Sequence, residues 1–277
     1  MDLATRLQQL AQPVDGRRLL SLADTQALVE EWGLSVRQVE MAALEARVLP
    51  ARYARNLGTV GWDGQLRLLR ATVAVIGCGG LGGWVVEGLA RMGVGHLLLV
   101  DHDTFEENNL NRQLLCTEDT LGQSKVAAAQ ARVARVNRAV TVTAHPVQAT
   151  AENLPALLAG AEVVVDALDT IPLRLTLQDV AAALGIPMVH GAIAGYVGQV
   201  TTVFPGDTGL RALYGSGDVP ERGVETEWGN PAATPMMVAA WQVQEVVKVL
   251  LGRGEPLRGR LLYLDAEAGQ AEVFALA

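Results

Sequence analysis

From residue 71 onward, apolar runs of four or five residues alternate with longer stretches whose apolar positions recur every three or four. Thr72–Ile76 (TVAVI) and His96–Val100 (HLLLV) read as buried strands, as do Glu162–Asp166 and Pro187–His190. Val140–Ala144 alternates apolar residues with Thr, the period of a strand with one solvated face. Between these runs, Gly80–Met92, Ser124–Asn137, Asn153–Leu158 and Pro172–Leu184 carry helical spacing. Strands that alternate with helices predict an α/β fold with a doubly wound, mainly parallel sheet. Gly198–Phe204 adds a strand, and Arg260–Asp265 with Gln270–Ala275 predicts a hairpin around Glu267–Gly269, an antiparallel C-terminal part. Residues 205–230 are rich in Gly and charge and predict a long surface loop. Thr234-Pro235 then predicts a capped helix start, with Leu251 as its last residue and Gly252 as its stop.

Residues 1–50 have a different texture and predict a helical N-terminal extension, with residues 51–277 forming the main domain. Asp24–Trp32 reads as a short helix closed by Gly33, and Ser35-Val-Arg-Gln38 as a capping box that opens a helix to about Val48. Helix–Gly–helix also suggests a DNA-reading pair. The second helix, however, sets Glu40 and Glu45 against Arg37 and Arg47, which suits a packing or dimerisation arm better than a phosphate backbone.

Composition sharpens this picture at three points. Half of the residues are hydrophobic and 19% charged, the balance of a chain with a substantial core. A net charge of −8, from 30 acids against 22 bases, with no Lys/Arg tract, argues against a broad nucleic-acid-binding face. The start MDLATRLQQL lacks a signal-peptide layout, charges interrupt every apolar stretch before membrane-spanning length, and the two cysteines Cys78 and Cys116 fit a reducing compartment, so a cytoplasmic protein is expected. With no C-x-x-C and four scattered histidines, no zinc site is expected.

Gly77-Cys-Gly-Gly-Leu-Gly82 fits G-x-G-x-x-G between a strand and a helix. Gly77 permits the tight turn, Gly79 lets a phosphate approach the backbone, and Gly82 lets helix and strand pack closely. The helix start then offers free N–H groups to an anion. Asp101, at the end of the next strand, is placed to accept bonds from ribose hydroxyls. This is a Rossmann-like nucleotide site, and up to Asp101 a dehydrogenase shows the same features. Glycines that serve only close packing are the lesser alternative.

The next stretch, DHDTFEENNLNRQ, separates the alternatives. Asp103 shares a side with Asp101 on an extended backbone, and Asn109, Arg112 and Gln113 follow. A triphosphate needs cations and donors. Arg112 can bond phosphate bidentately, and Lys125 adds a point charge at the start of the next helix. Asp169, beyond a strand at the carboxyl edge of the sheet, is a candidate Mg²⁺ ligand. His102, Cys78 and Cys116 read as packing or surface residues.

In combination and in order, Arg52-Tyr53-Ala54-Arg55, Gly77–Gly82, Asp101-x-Asp103, Asn109-Leu-Asn-Arg112-Gln113, Gly122-Gln-Ser-Lys125 and Ala167-Leu-Asp169 resemble the MoeB/ThiF/HesA family, related to the adenylation domains of ubiquitin-activating enzymes. The resemblance covers about residues 50–275 and is closest to MoeB. It implies an ATP-dependent adenylyltransferase with Mg²⁺. The substrate would be the C-terminal glycine carboxylate of a MoaD/ThiS-like sulfur carrier ending in Gly-Gly, in molybdenum or tungsten cofactor or thiamine biosynthesis. Asp101 would bind ribose, Gly80 would sit against the phosphates, Arg112 and Lys125 would stabilise the reacting phosphate, and Asp169 would hold Mg²⁺. Arg55 matches an arginine that reaches the other subunit's site, which implies a homodimer. The chain departs from the family in lacking its zinc cysteines and a cysteine in the 205–230 loop, so no thioester on this protein is expected. The alternatives are activation of another carboxylate, as in the related tRNA dehydratases, an NAD-dependent oxidoreductase, and a non-catalytic nucleotide-binding partner.

Overall fold

The computed structural model describes residues 1–215 and 217–276. Ser216, within the expected loop, and Ala277, the last residue of the expected main domain, lie outside the described residues. The chain starts with α1 (Leu3–Leu10), β1 (Gln12–Val14), β2 (Arg17–Leu20), α2 (Leu22–Trp32), α3 (Val36–Glu45) and β3 (Leu49–Pro50). Gly33 closes α2 in the left-handed region, and the Ser35/Gln38 capping box opens α3. The expectation of a purely helical extension is corrected here. β1 and β2 form a hairpin, and β3 joins β2 in parallel. Its two-residue turn, Asp15-Gly16, has both φ angles positive, as a primed turn requires.

Next come α4 (Leu57–Arg70), β4 (Thr72–Ile76), α5 (Gly80–Met92), β5 (His96–Val100), α6 (Lys125–Val136), β6 (Thr141–His145), α7 (Leu154–Leu157), β7 (Val163–Asp166), α8 (Ile171–Ala183), β8 (Met188–Ala194) and β9 (Val197–Val203). Short helices α9 (Arg211–Tyr214) and α10 (Glu225–Trp228) interrupt the expected loop, and α11 (Ala233–Leu251), β10 (Arg260–Asp265) and β11 (Gln270–Ala275) complete the chain. Thr234 does not cap α11. It lies inside the helix, and its hydroxyl donates to the Gly195 carbonyl at 2.6 Å.

The main sheet has eight strands in the order β11-β10-β9-β8-β7-β4-β5-β6. The five strands from β8 to β6 run parallel, and β9, β10 and β11 are antiparallel. Strand alternation divides the core. Val73, Val75, Leu97, Leu99, Val163 and Val165 face the cluster built with α5, α6 and α11. Ala74, Ile76, Leu98, Val100 and Val164 face the cluster built with α7 and α8. The chain winds outward in both directions from β4, so the carboxyl ends of β5, β4 and β7 meet at a topological switch point, where this architecture places its ligands.

Two polar clusters hold the layers. Glu87 on α5 accepts from Arg132 of α6 at 2.9 Å through both carboxylate oxygens and from Arg91 Nε at 2.8 Å. Burial alone would raise its pKa, but the two guanidinium groups hold it below the usual value. Its stabilising effect is therefore fully present above the unfolded carboxylate pKa and lost as pH falls through the lower folded one. Glu87→Gln should cost about 2 kcal/mol at neutral pH, and urea unfolding at pH 7 and pH 3 should show the gap shrink in acid. An equal gap at both pH values would remove the charge from the account. In the second cluster, Arg37 of α3 donates to the Gly95 carbonyl at 2.8 Å, and buried Glu40 pairs with Arg52 at 3.0 Å. Asn137 donates to the Tyr53 hydroxyl at 2.9 Å. The first 50 residues are thus fastened to the segment that carries Arg55.

Candidate nucleotide site

The glycine loop leaves β4 at Gly77, whose N–H donates to the Val100 carbonyl at 2.9 Å. Gly77 has φ +95, and a Cβ there would lie 2.5 Å from the Ala167 carbonyl oxygen. Only glycine fits this turn. α5 starts at Gly80 with no side-chain cap, so its first N–H groups stay available. Asp101 closes the loop from β5: its carboxylate accepts from Cys78 N at 2.7 Å and from Asp103 N at 2.8 Å. A short backbone ladder brings residues 103–105 beside 122–125, with Lys125 N donating to the Asp103 carbonyl at 3.0 Å and Phe105 N to that of Gln123 at 3.0 Å. Lys125 Nζ thereby meets Asp103 at 2.8 Å from the first position of α6. Burial would raise the Asp103 pKa, but the Lys125 ammonium outweighs it and holds the carboxyl below its usual value.

These elements wall a cavity of about 610 Å³ lined by Gly77, Gly79, Gly80, Asp101, Asp103, Arg112, Gln113, Lys125 and Asp169. Arg112 is held by its own loop, with Nη1 donating to the Asn108 carbonyl and the Asn111 side chain, both at 2.8 Å. Gln113 is buried against Gly79, and its side-chain amide oxygen has no partner. Asp169 is exposed and pairs with Arg222 at 3.0 Å.

Three expected site residues do not line the cavity. Gly82 packs: a Cβ there would collide with the Gly77 carbonyl. Asn109 is buried and holds its own turn, accepting from Glu106 N at 3.2 Å. Arg55 is exposed and lies outside the lining residues. Conversely, Arg174, Glu221, Arg222 and Glu225 line the cavity and were not singled out in the sequence. Glu221, Arg222 and Glu225 come from the 205–230 connection, where Gly and charge were the only signals. Neither cysteine is a candidate nucleophile. Burial pushes the Cys78 thiol far up, with Asp101 adding to the rise, and burial also raises Cys116.

Magnesium takes one or two carboxylates beside phosphate oxygens and water, and Asp169 supplies such a carboxylate at the mouth of a cavity that also holds Arg112 and Lys125. The residues present fit both a nucleotide and its metal. Among the described residues no helix is long and apolar enough to cross a membrane.

Residues 53–277 match the model of the ThiF family. A SAMP-activating enzyme E1 of Haloferax volcanii is 41% identical over 222 residues, which cover 78% of this chain and 81% of that protein. A sulfur carrier protein adenylyltransferase of Thermus thermophilus is 40% identical over 227 residues, 78% of this chain and 83% of that one. Among solved structures, E. coli MccB with ATP superposes with a TM-score of 0.72 at 22% identity, over 82% of this chain and 74% of that one, a likeness of fold. With a family match over most of its length and relatives at this identity, the chain belongs to the ThiF family.

Proposed function

We propose that this chain is an ATP-dependent adenylyltransferase that joins AMP to the C-terminal glycine carboxylate of a ubiquitin-like sulfur carrier and releases pyrophosphate. The observation that carries it is the convergence of Arg112 and Lys125 with the glycine loop in one cavity at the switch point of a ThiF-family fold. A carboxylate is a poor electrophile, and AMP gives it a leaving group. The attack brings two anions together, so the site must supply positive charge and hold both partners in line. Asp101 already bonds the glycine loop, and its remaining acceptor capacity suits a ribose hydroxyl. The free N–H groups at the start of α5 and the amide of Gln113 face the phosphates. Arg112 and Lys125 supply fixed positive charge where it builds up. Asp169 would hold Mg²⁺, which supplies charge neutralisation on the phosphate oxygens. Arg222 pairs with one oxygen of that carboxylate, at 3.0 Å.

ATP–pyrophosphate exchange tests the reaction. It should depend on a small protein ending in Gly-Gly, and exchange with none of the carriers from the same genome would overturn the reading. The carrier decides between a cofactor, a thiamine or another sulfur pathway.

The reading also takes the chain as a homodimer in which Arg55, exposed and away from its own cavity, reaches the partner's site. Arg55→Ala and Asp169→Ala proteins, each inactive, should then recover activity when mixed. Random exchange leaves roughly a quarter of the sites intact. Absence of recovery despite subunit exchange seen by mass spectrometry would confine Arg55 to its own subunit.

A further inference from the structure

Beneath the cavity lies a buried polar network that the reaction as described does not use. Asp166 ends β7 and is paired in register with His190 on β8. Both are fully buried, and His190 Nδ1 lies 2.6 Å from Asp166 Oδ2. The second carboxylate oxygen, Oδ1, accepts from Leu168 N at 3.0 Å and turns the chain out of the strand. The Asp166 carbonyl accepts from Gln242 Nε2 of α11 at 2.9 Å. Arg174 of α8 donates Nη2 to the Leu168 carbonyl at 2.5 Å, with its Nε 4.0 Å from Asp166 Oδ2. Both backbone groups of Leu168 are thereby engaged by this network, and Asp169 is the next residue.

The same loop forms the wall behind the glycine turn, since the Ala167 carbonyl fills the space a Cβ on Gly77 would need. The network also reaches the segment above. The Tyr214 hydroxyl accepts from Arg174 Nη1 at 3.5 Å and from Gln199 Nε2 at 3.1 Å, and the Tyr214 ring stands edge-on to His190. Tyr214 belongs to the connection that brings Glu221 and Arg222 to the cavity, where Ile171 N donates to the Glu221 carbonyl at 3.1 Å. Burial pushes the imidazolium of His190 down. Its Nε2 has no partner, so a neutral ring that donates through Nδ1 to Asp166 accounts for the pair.

A buried carboxylate costs stability unless it is fully bonded, and apolar residues would pack these positions without that cost. Two bonds of this group instead end on Leu168, which stands between Ala167 and Asp169, and all three line the cavity. We infer that His190 and Arg174 are positioning residues, which hold Asp166 and Leu168 so that Asp169 is presented in a fixed place to the metal, with Tyr214 tying that place to the overhanging segment. The inference rests on the nucleotide site proposed above.

The test is ATP binding by the full chain without any carrier, measured by calorimetry at increasing Mg²⁺. His190→Leu should raise the Mg²⁺ needed for half-maximal tightening about tenfold or more, the usual effect of losing the partner of a metal ligand's support. Binding without Mg²⁺ should stay within about twofold of wild type. His190→Asn keeps an N–H in the place of Nδ1 and should recover most of the Mg²⁺ response. Tyr214→Phe removes only the hydroxyl and should shift the response in the same direction by about threefold. It keeps the test open if His190→Leu fails to fold. An unchanged Mg²⁺ response in both His190→Leu and Tyr214→Phe, with only a lower melting temperature, overturns the inference alone. A wild-type chain that binds no ATP at any Mg²⁺ concentration overturns the nucleotide site and the inference with it.

Discussion

Lys125→Ala is expected to lower carrier-dependent ATP–pyrophosphate exchange by about 10²–10³-fold, the usual effect of removing one preorganised group that stabilises developing charge. Lys125 is held from two sides. Its backbone is fixed by the ladder between 103–105 and 122–125, and its side chain, 8% exposed, meets Asp103. The ammonium is therefore in place before any phosphate arrives, which is what makes such a charge effective. Asp103 is half exposed, so losing its partner should cost less than about 1 kcal/mol, and the variant should melt close to wild type. Lys125→Arg should not restore activity, because a planar guanidinium cannot occupy a niche shaped for a compact ammonium. A loss smaller than threefold would show that Arg112 and the backbone N–H groups carry the charge alone.

Gly82→Ala is expected to yield no folded protein, or one destabilised by more than about 4 kcal/mol, beyond the ordinary range of single substitutions. Gly82 lies in the first turn of α5, where an added Cβ meets the Gly77 carbonyl well inside contact distance and also touches Ala167. That carbonyl is backbone and cannot rotate away. Relief would require α5 to lift off the sheet, and α5 packs against α6 and α11. Gly80→Ala is the informative contrast. A Cβ there meets nothing nearer than 3.9 Å, from Arg112 Cγ and Pro235 Cβ, but Gly80 lines the cavity. That variant should fold normally and bind ATP more weakly. A melting temperature for Gly82→Ala within a few degrees of wild type would mean that the helix and the turn are farther apart than they stand here.

The contrast between these glycines shows where sequence pattern suffices. Buried parallel strands are nearly continuous apolar runs, so Thr72–Ile76 and His96–Val100 are legible to the residue. The glycine loop is legible because a strand and a helix flank it. α4 is not legible because Gly58, Gly61 and Gly64 break its period, and Gly61 takes a positive φ within it. The β1–β2 hairpin carries Asp15-Gly16, a readable turn signal, but its strands are short, include Pro13 and start with two arginines. In the site, local pattern indicates which segments surround the cavity. It does not indicate that Asp169 pairs with Arg222 or that Asp166 bonds His190, because such pairs join segments far apart in the chain. Asn109 and Gln113 look alike in sequence, yet one closes its own turn and the other faces the cavity.

The strand order has a consequence for how the chain is made. β4 lies at the centre of the sheet with β5 on one side and β7 on the other, so Val73 pairs with Leu97 and with Val163. Its first neighbour emerges from the ribosome almost at once. The second follows only after the intervening residues of α6, β6 and α7. At a synthesis rate of about 5–20 residues per second, β4 waits roughly 5–20 s with one apolar edge open. For that interval the nascent chain carries an unpaired Val-rich strand beside the glycine loop, the kind of edge that pairs with other chains. Molecular chaperones that shield apolar edges during translation would matter most between the emergence of β4 and that of β7.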